Sequence, residues 1–498
     1  MSYPKMSSRV HLFEVDGKRI LYDIHSCVFY EVDELGWDAV EKSTRLAGRG
    51  QIITELGLKY GRRKASEAVR ELKAMEAKGM LFSRDPLSDY QSSLSPVSTL
   101  CLNVAHDCDL NCRYCFASAG TYGKGKARMP LEVACKAVDF LIENSGRIQR
   151  LTLCFFGGEP LLNFPVIEET VEYAKSREGD SGKEFRFNIT TNGTMLTSPV
   201  RKFLAKNGFG VIFSIDGPRD IQDEMRPFKN GFGSYDAVSK NLKELTKEAG
   251  NTGPEFSIRA TFTRRHLDIS RAALHLVELG CLDISVEPAV LKHEELEIRE
   301  QDLLELKEQY RRFAHIYIDC IRNGRPFSFF HFRHVLDQAC RATRNLTQCG
   351  AGTGYLAVSS DGELYPCHRF VGKDEYLMGS VFDGIKRRDV QLLFNSAHVN
   401  NKKTCLRCWA RYICGGGCHA YAIEFNGDIM KPYSVECELM KYRIELGAYM
   451  YTEIADKCKE FLRQFGEEAS QLRPHLSPQI NRESKAGSSD APTGRRRL

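Results

Sequence analysis

Cys108, Cys112 and Cys115 stand in the chain as C-x3-C-x2-C, immediately after the apolar run TLCLNV at 99–104. Three thiolates at this spacing suit a four-iron cluster and leave one iron open for a further ligand. A zinc knuckle is the alternative use of such closely spaced cysteines. The place is apt for chemistry, because α/β enzymes build their sites at the C-terminal ends of strands. A second constellation comes later: Cys349, Cys367, then Cys405-x2-Cys408-x5-Cys414-x3-Cys418, and finally Cys437. Cys340 precedes Cys349 by nine residues. Of the 18 cysteines, 15 lie from Cys108 to Cys437 inclusive. The N-terminus MSYPKMSSRV has no apolar segment of an export signal, so a reduced cytoplasmic setting is expected, in which clustered cysteine points to metal. Cys27, Cys101, Cys135, Cys154, Cys281, Cys320 and Cys458 read as small buried hydrophobes or bystanders.

Further polar and glycine motifs close other apolar runs. Gly157-Gly158-Glu159-Pro160 follows LTLCFF at 151–156, where glycine permits close backbone approach; taken alone it is also a tight strand-to-helix turn. Thr191-Asn192-Gly193 follows FRFNIT at 185–190, Ser214 and Asp216 stand in SIDG after VIFSI at 211–215, and Arg259 lies within FSIRATF at 256–262. With DISVEP at 283–288, six strands alternate with amphipathic helices. The helix at 131–144 places Leu131, Ala134, Val138, Leu141 and Ile142 on one face, as a helix covering a parallel sheet should. The expected fold class is α/β, a partial (β/α)6 barrel over 98–325.

Upstream, VHLFEV, RILYDI and CVFYEV between 10 and 32 read as strands, the first two joined by Asp16-Gly17. Helices are expected around 36–46, 50–58 and 64–79, making residues 1–90 a small α+β module, with QSSLSPVS at 91–98 as a linker. After a long helix at about 300–323 comes a Cys-rich domain at 340–458, where clusters replace core, and then a tail at 474–498 expected to be disordered.

The 498 residues divide into two to four domains. Lys plus Arg number 70 against 65 Asp plus Glu, a net charge of +5 that does not suggest a nucleic-acid partner. No run approaches 18 apolar residues, so no membrane partner is expected.

C-x3-C-x2-C after the first of six βα units resembles the radical S-adenosylmethionine superfamily, and Gly157-Gly158-Glu159-Pro160 is similar to its GGEP segment. The resemblance implies that Cys108, Cys112 and Cys115 bind a 4Fe-4S cluster that cleaves S-adenosyl-L-methionine to a hydrogen-abstracting radical. It implies that backbone carbonyls at Gly157 and Gly158, with the Glu159 carboxylate, hold the methionine amino group, Pro160 completing the motif. Tyr114 resembles the residue whose backbone meets adenine. Asn192, Ser214 and Arg259 match weaker contact positions, Arg259 pairing the methionine carboxylate.

The seven later cysteines resemble the SPASM domain, which in related peptide-modifying enzymes carries two auxiliary 4Fe-4S clusters, three clusters in all. The resemblance assigns Cys405, Cys408, Cys414 and Cys437 to one, and Cys349, Cys367 and Cys418 to the other. Either Cys340 or a substrate thiol would complete the latter.

The N-terminal module looks like the peptide-recognition elements of ribosomal peptide maturases, which add a leader peptide to a sheet edge; a generic winged-helix adaptor is its alternative. CGAG at 349–352, CHRFVG at 367–372 and AHDCDLNCRYCFA at 105–117 look like thioether-forming maturases, including the SCIFF group and the quinohemoprotein amine dehydrogenase maturation protein.

The expected function is therefore oxidative thioether cross-linking in a Cys-containing peptide or small protein, with ferredoxin or flavodoxin as electron donor. Two alternatives stand beside it. One is an anaerobic sulfatase maturase that makes formylglycine, against which His368 stands where that group is expected to place an Asp. The other is a non-catalytic iron-sulfur or zinc scaffold.

Overall fold

The computed structural model describes residues 9–46, 48–249, 253–455, 457 and 460–461. Residues 1–8 of the expected first module, Cys458 and the expected tail at 474–498 lie outside the described residues.

Strands β1 (Val10–Val15), β2 (Lys18–Asp23) and β3 (Val28–Val32) form an antiparallel sheet in that order. The two-residue turn Asp16-Gly17 has φ of 48° and 78°, the left-handed pair that a tight hairpin needs. Helices α1 (Glu34–Arg45), α2 (Arg49–Tyr60) and α3 (Arg62–Ala77) follow. The first is capped by Asp33, whose carboxylate accepts the Gly36 N–H at 2.7 Å.

Alternation gives the sheet two buried faces. Leu21, Tyr30 and Val32 pack on Val40, Ile52, Val69 and Leu72 of the helices. Phe13, Ile20, Tyr22 and Phe29 join the main core of the protein instead. The module is thus seated on the Cys-rich C-terminal segment: the His11 ring stacks on Trp409 with centroids 3.9 Å apart, and Asp85 accepts from the Tyr412 hydroxyl at 2.6 Å and from Arg411.

The second sheet holds the six strands read from the sequence, β4 (Thr99–His106), β5 (Arg150–Gly157), β6 (Glu184–Thr191), β7 (Gly210–Ser214), β8 (Glu255–Phe262) and β9 (Asp283–Pro288). They run parallel and lie side by side in chain order. Between and after them come α4 (Leu131–Asn144), α5 (Phe164–Ser176), α6 (Ser198–Lys206), α7 (Tyr235–Glu248), α8 (Ile269–Glu278) and α9 (Leu303–Arg322). The result is an open α/β barrel. Helix α4 buries Val133, Ala137 and Phe140 beside the expected Ala134, Val138 and Leu141, while Leu131 and Ile142 are half-buried.

Two short strands extend the parallel sheet beyond the expected six. β10 (Ser328–Phe329) pairs with β9 and leads into α10 (Phe330–Arg341). At the opposite edge β11 (Tyr355–Val358) pairs in parallel with Thr99–Leu102 of β4, and β12 (Glu363–Tyr365) continues antiparallel. The Cys-rich segment is therefore tied to the barrel by backbone ladder. Its last helix, α11 (Ser434–Glu453), packs on α9 and α10. With a neighbour on each side and helices above, β4 is buried at every residue. Among the described residues, no helix is long and apolar enough to cross a membrane.

Candidate functional site

The loop after β4 carries Cys108, Cys112 and Cys115 to the C-terminal end of the sheet, all three half-buried. They line one cavity of about 350 Å³ together with Tyr114, Gly157, Gly158, Asn192, Ser214 and Arg259, contributed by the loops and strands from β4 to β8. Burial pushes the Cys108 thiol up, with Glu159 adding to it, and pushes Cys112 up to about 11 against the pull of Arg226. Metal binding to such thiols releases their protons. Among the described residues no three Cys, His, Asp or Glu side chains converge as around a single ion. Three thiols brought to one cavity wall are of the type and number that would suit a four-iron cluster.

Backbone lacing fixes this loop on both sides. From β5, the Gly158 N–H donates to Ala105 O at 2.8 Å and the Glu159 N–H to Asp107 O at 2.9 Å. A Cβ on Gly158 would lie 2.1 Å from Asp107 O, so only glycine fits between these strands. From the other side, Met225–Lys229 runs antiparallel to the loop: the Arg113 N–H donates to Met225 O (2.9 Å), Asn111 to Pro227 O (2.8 Å), and Lys229 to Asp109 O (3.1 Å). Nothing in the local sequence of either segment announces this pairing.

Glu159 is held by donors from two directions. Its carboxylate is fully buried and is not part of the cavity wall. One oxygen accepts the Thr191 hydroxyl at 2.8 Å and the Leu161 N–H at 3.1 Å, and the other accepts the Asn192 N–H at 2.7 Å. Burial raises its pKa to about 7 against those donors. The side chain ties β5 to β6, leaving the backbone of Gly157 and Gly158 to face the cavity. Pro160 lies outside the cavity wall too, at the start of a short 3-10 turn. Asn192 reaches the cysteine loop, donating to Asp109 at 2.8 Å and approaching the Cys108 sulfur at 3.7 Å.

Tyr114 is anchored by its hydroxyl rather than left free. It donates to Asp216, the Asp of SIDG, and accepts from Arg226 Nη1 at 2.9 Å. Asp216 also accepts the Thr261 N–H at 2.9 Å, and burial pushes its carboxyl up against the pull of Arg226. Arg226, absent from the sequence reading, lines the same cavity.

The later cysteines separate into two groups. After burial, Cys408 raises Cys405, Cys405 and Cys408 raise Cys437, and Cys437 and Cys408 raise Cys414. Cys367 is raised by burial first, then by Cys418 and Cys349. Between Cys414 and Cys418, Gly415, Gly416 and Gly417 take φ of 72°, 88° and 73°. Three consecutive left-handed residues swing the chain from one group to the other, a path that costs any residue with a Cβ about 1–2 kcal/mol at each step. Lys402 is wholly buried beside both groups and donates to Gly416 O at 2.8 Å. Cys340 stands half-buried at the end of α10.

Cys418 also lines the cavity that holds Cys108, Cys112 and Cys115, as do His368, Arg369 and Tyr421. The His368 Nδ1 meets the Tyr355 hydroxyl at 2.8 Å, and the Arg369 guanidinium lies over Phe116 and Tyr421. A second cavity of about 240 Å³, lined by Cys349, Cys418, Glu436 and Arg443, shares Arg259 and Glu287 with the first. Although burial opposes it, His331 at 2.9 Å, with Arg259 and Arg443, holds the Glu287 carboxyl well below its usual range. One cavity thus has Cys108, Cys112 and Cys115 of the first cysteine loop and Cys418 of the later cysteines in its wall.

Residues 102–253 match the Radical SAM superfamily. A cysteine-type anaerobic sulfatase-maturating enzyme of Clostridium novyi is 24% identical over 349 residues, covering 65% of this chain and 88% of that one. The radical SAM cyclopropyl synthase TigE of Paramaledivibacter caminithermalis is 25% identical over 370 residues, covering 70% and 73%. The solved structure of native anSMEcpe with bound AdoMet and Kp18Cys peptide superimposes with a TM-score of 0.62 at 20% identity, over 73% of this chain and 99% of that one, a likeness of fold. Residues 102–253 are thus a radical SAM domain, set in a partial barrel that continues into a Cys-rich C-terminal segment.

Proposed function

We propose that the chain is a radical S-adenosylmethionine enzyme that modifies a peptide or small protein, and that its reaction is an intrapeptide thioether cross-link. Cys108, Cys112 and Cys115 hold the catalytic 4Fe-4S cluster. Cys405, Cys408, Cys414 and Cys437 hold one auxiliary cluster, and Cys349, Cys367 and Cys418 the other, completed by Cys340 or by a substrate thiol. When bound, the catalytic cluster and S-adenosylmethionine supply a radical that removes a hydrogen atom from a substrate carbon. The observation that carries the reading is that Cys108, Cys112 and Cys115 line the same cavity as Cys418.

Each wall has a task. The Gly157 and Gly158 backbone, Asn192, Ser214 and Arg259 orient the polar part of S-adenosylmethionine, with Tyr114 beside the adenine. His368, Arg369, Phe116 and Tyr421 enclose the substrate side chain and exclude water. In the thioether reaction a C–S bond forms as the peptide loses a hydrogen atom from carbon and a proton and an electron from sulfur; an auxiliary cluster held by the later cysteines would be the acceptor of that electron. The N-terminal sheet takes the peptide as an added strand, and a ferredoxin or flavodoxin supplies the low-potential electron.

The sulfatase-maturating relatives favour a second reading, oxidation of a substrate Cys to an aldehyde. Anaerobically reconstituted protein, reduced and given S-adenosylmethionine plus a Cys-rich peptide encoded beside its gene, separates the two by mass spectrometry. A peptide lighter by two hydrogens, with one thiol protected from alkylation and 5′-deoxyadenosine released, supports the thioether. Conversion of a Cys to an aldehyde replaces it with the second reading, and absence of 5′-deoxyadenosine refutes both.

A further inference from the structure

Arg226 is a buried cation whose surroundings do not account for all of it. Its side chain is 9% exposed, Nη1 donates to the Tyr114 hydroxyl at 2.9 Å, and the same nitrogen lies 3.7 Å from Asp216. Its Nε is buried and finds no hydrogen-bond partner among the described residues. The guanidinium and Cys112 wall the same cavity. Its backbone belongs to the strip Met225–Lys229, whose ladder to Asp109–Arg113 includes the bridge Leu110↔Phe228. At the end of that strip, Lys229 Nζ donates to Asp107 at 2.7 Å, so a second cation is brought to the loop.

A buried charge is retained at a cost unless something offsets it. Asp216 offsets part of this one from 3.7 Å, but that carboxylate also accepts from the Tyr114 hydroxyl and the Thr261 N–H, so its charge is shared among three donors. Reduction of a thiolate-ligated cluster would add one negative charge to the iron-sulfur core that the cysteines hold, and a fixed cation in a low-dielectric wall stabilises that charge.

We propose that Arg226 is a positioning residue that raises the reduction potential of the cluster held by Cys108, Cys112 and Cys115, its strip Met225–Lys229 serving as the brace that fixes the distance. The inference rests on the assignment of that cluster in the proposed function. One electron from an external low-potential reductant enters the cluster, no bond is broken, and the Arg226 charge is the partner of the electron added.

The test is a redox titration of the reconstituted protein followed by the electron paramagnetic resonance signal of the reduced cluster, in a Cys405→Ala/Cys349→Ala background that simplifies the auxiliary signals. Arg226→Gln is expected to shift the midpoint to more negative potential, and Arg226→Lys, which keeps the charge, to restore most of it. Asp216→Asn removes the opposing charge and is expected to shift the midpoint the other way. A purely structural brace would not produce opposite shifts. An unchanged midpoint in Arg226→Gln, or a negative shift in Asp216→Asn, overturns the proposal. Should Arg226→Gln take up no iron, Asp216→Asn alone decides it. Absence of the signal in the unaltered chain overturns the cluster assignment itself.

Discussion

The Glu159 carboxylate accepts the Asn192 backbone N–H at 2.7 Å, spanning from the end of β5 to the end of β6 beneath the cavity. Two more donors, Thr191 Oγ1 and the Leu161 N–H, fill its other oxygen. The carboxylate is therefore a strut between the strands whose loops present Gly158 and Asn192. Glu159→Gln would turn an amide N–H toward groups that themselves donate, leaving buried donors unmet at ~1–3 kcal/mol. Burial raises the folded pKa from 4.5 to about 7, so this group contributes stability below pH 4.5 that is lost as pH rises through about 7. The loss is on the order of 3 kcal/mol at full titration. Denaturant unfolding of metal-free protein should find the Gln variant less stable at pH 5, the deficit shrinking by pH 8. A pH-independent deficit would assign the carboxylate no proton-linked role.

Gly158 is tested by volume alone. An added methyl meets Asp107 O at 2.1 Å and Gly120 Cα at 2.9 Å, both backbone, so the cysteine loop must move away from β5. Overpacking of this kind costs ~1–3 kcal/mol. Gly158→Ala should weaken S-adenosylmethionine binding about 10-fold or more, by the 1.4 kcal/mol that a decade requires. Equilibrium dialysis against reconstituted protein measures it, with iron content as the control for the cluster itself.

Much of this arrangement could be read from the chain because its markers are chemically loud. Cys108, Cys112, Cys115 and Gly157-Gly158 sit at the ends of apolar runs whose strand character is strong, and the cavity does bring them together with Ser214 and Arg259. The division of the later cysteines into Cys405, Cys408, Cys414 and Cys437 on one side and Cys349, Cys367 and Cys418 on the other rests on spacing that resembles a known pattern. What stayed hidden depends on pairing over distance. Arg226 is brought to Cys112 by the bridge between Leu110 and Phe228, two residues more than a hundred positions apart with no periodic signal. The donors that hold the Glu159 carboxylate are equally silent in the motif, because Thr191 and Asn192 belong to the next strand and its end. β11 was missed because four residues, Tyr355–Val358, amid glycines and cysteines carry too little alternation to call a strand. Its partner β4 supplies the missing information only after folding.

Trp409 is where the N-terminal sheet meets the Cys-rich segment. Its ring stacks under His11 at 3.9 Å and contacts Phe13 and Tyr22 from the same sheet face, and it is 4% exposed. Trp409→Ala removes a large buried ring, a change that costs ~3–5 kcal/mol. The expected outcome is early release of a fragment of about 90 residues in limited proteolysis, with the radical SAM domain persisting. Co-unfolding of the whole chain at one lower temperature would instead show that the module and barrel form one cooperative unit.

Separate roles for the cysteine groups predict separable defects. Cys112→Ala leaves two thiols where the catalytic cluster takes three, so S-adenosylmethionine cleavage should fall to background while the auxiliary groups, built from other segments, still take up iron. Cys408→Ala acts on the group that includes Cys405, Cys414 and Cys437, which does not border the cavity shared by Cys108 and Cys418. Some cleavage to 5′-deoxyadenosine should persist there while cross-linked peptide is lost. Iron counting with chromatographic measurement of 5′-deoxyadenosine and mass analysis of peptide distinguishes the two variants. Undiminished cleavage in Cys112→Ala would remove the catalytic role from the loop, and full cross-linking in Cys408→Ala would confine that cysteine group to a structural one, because electrons would then leave the cavity without it.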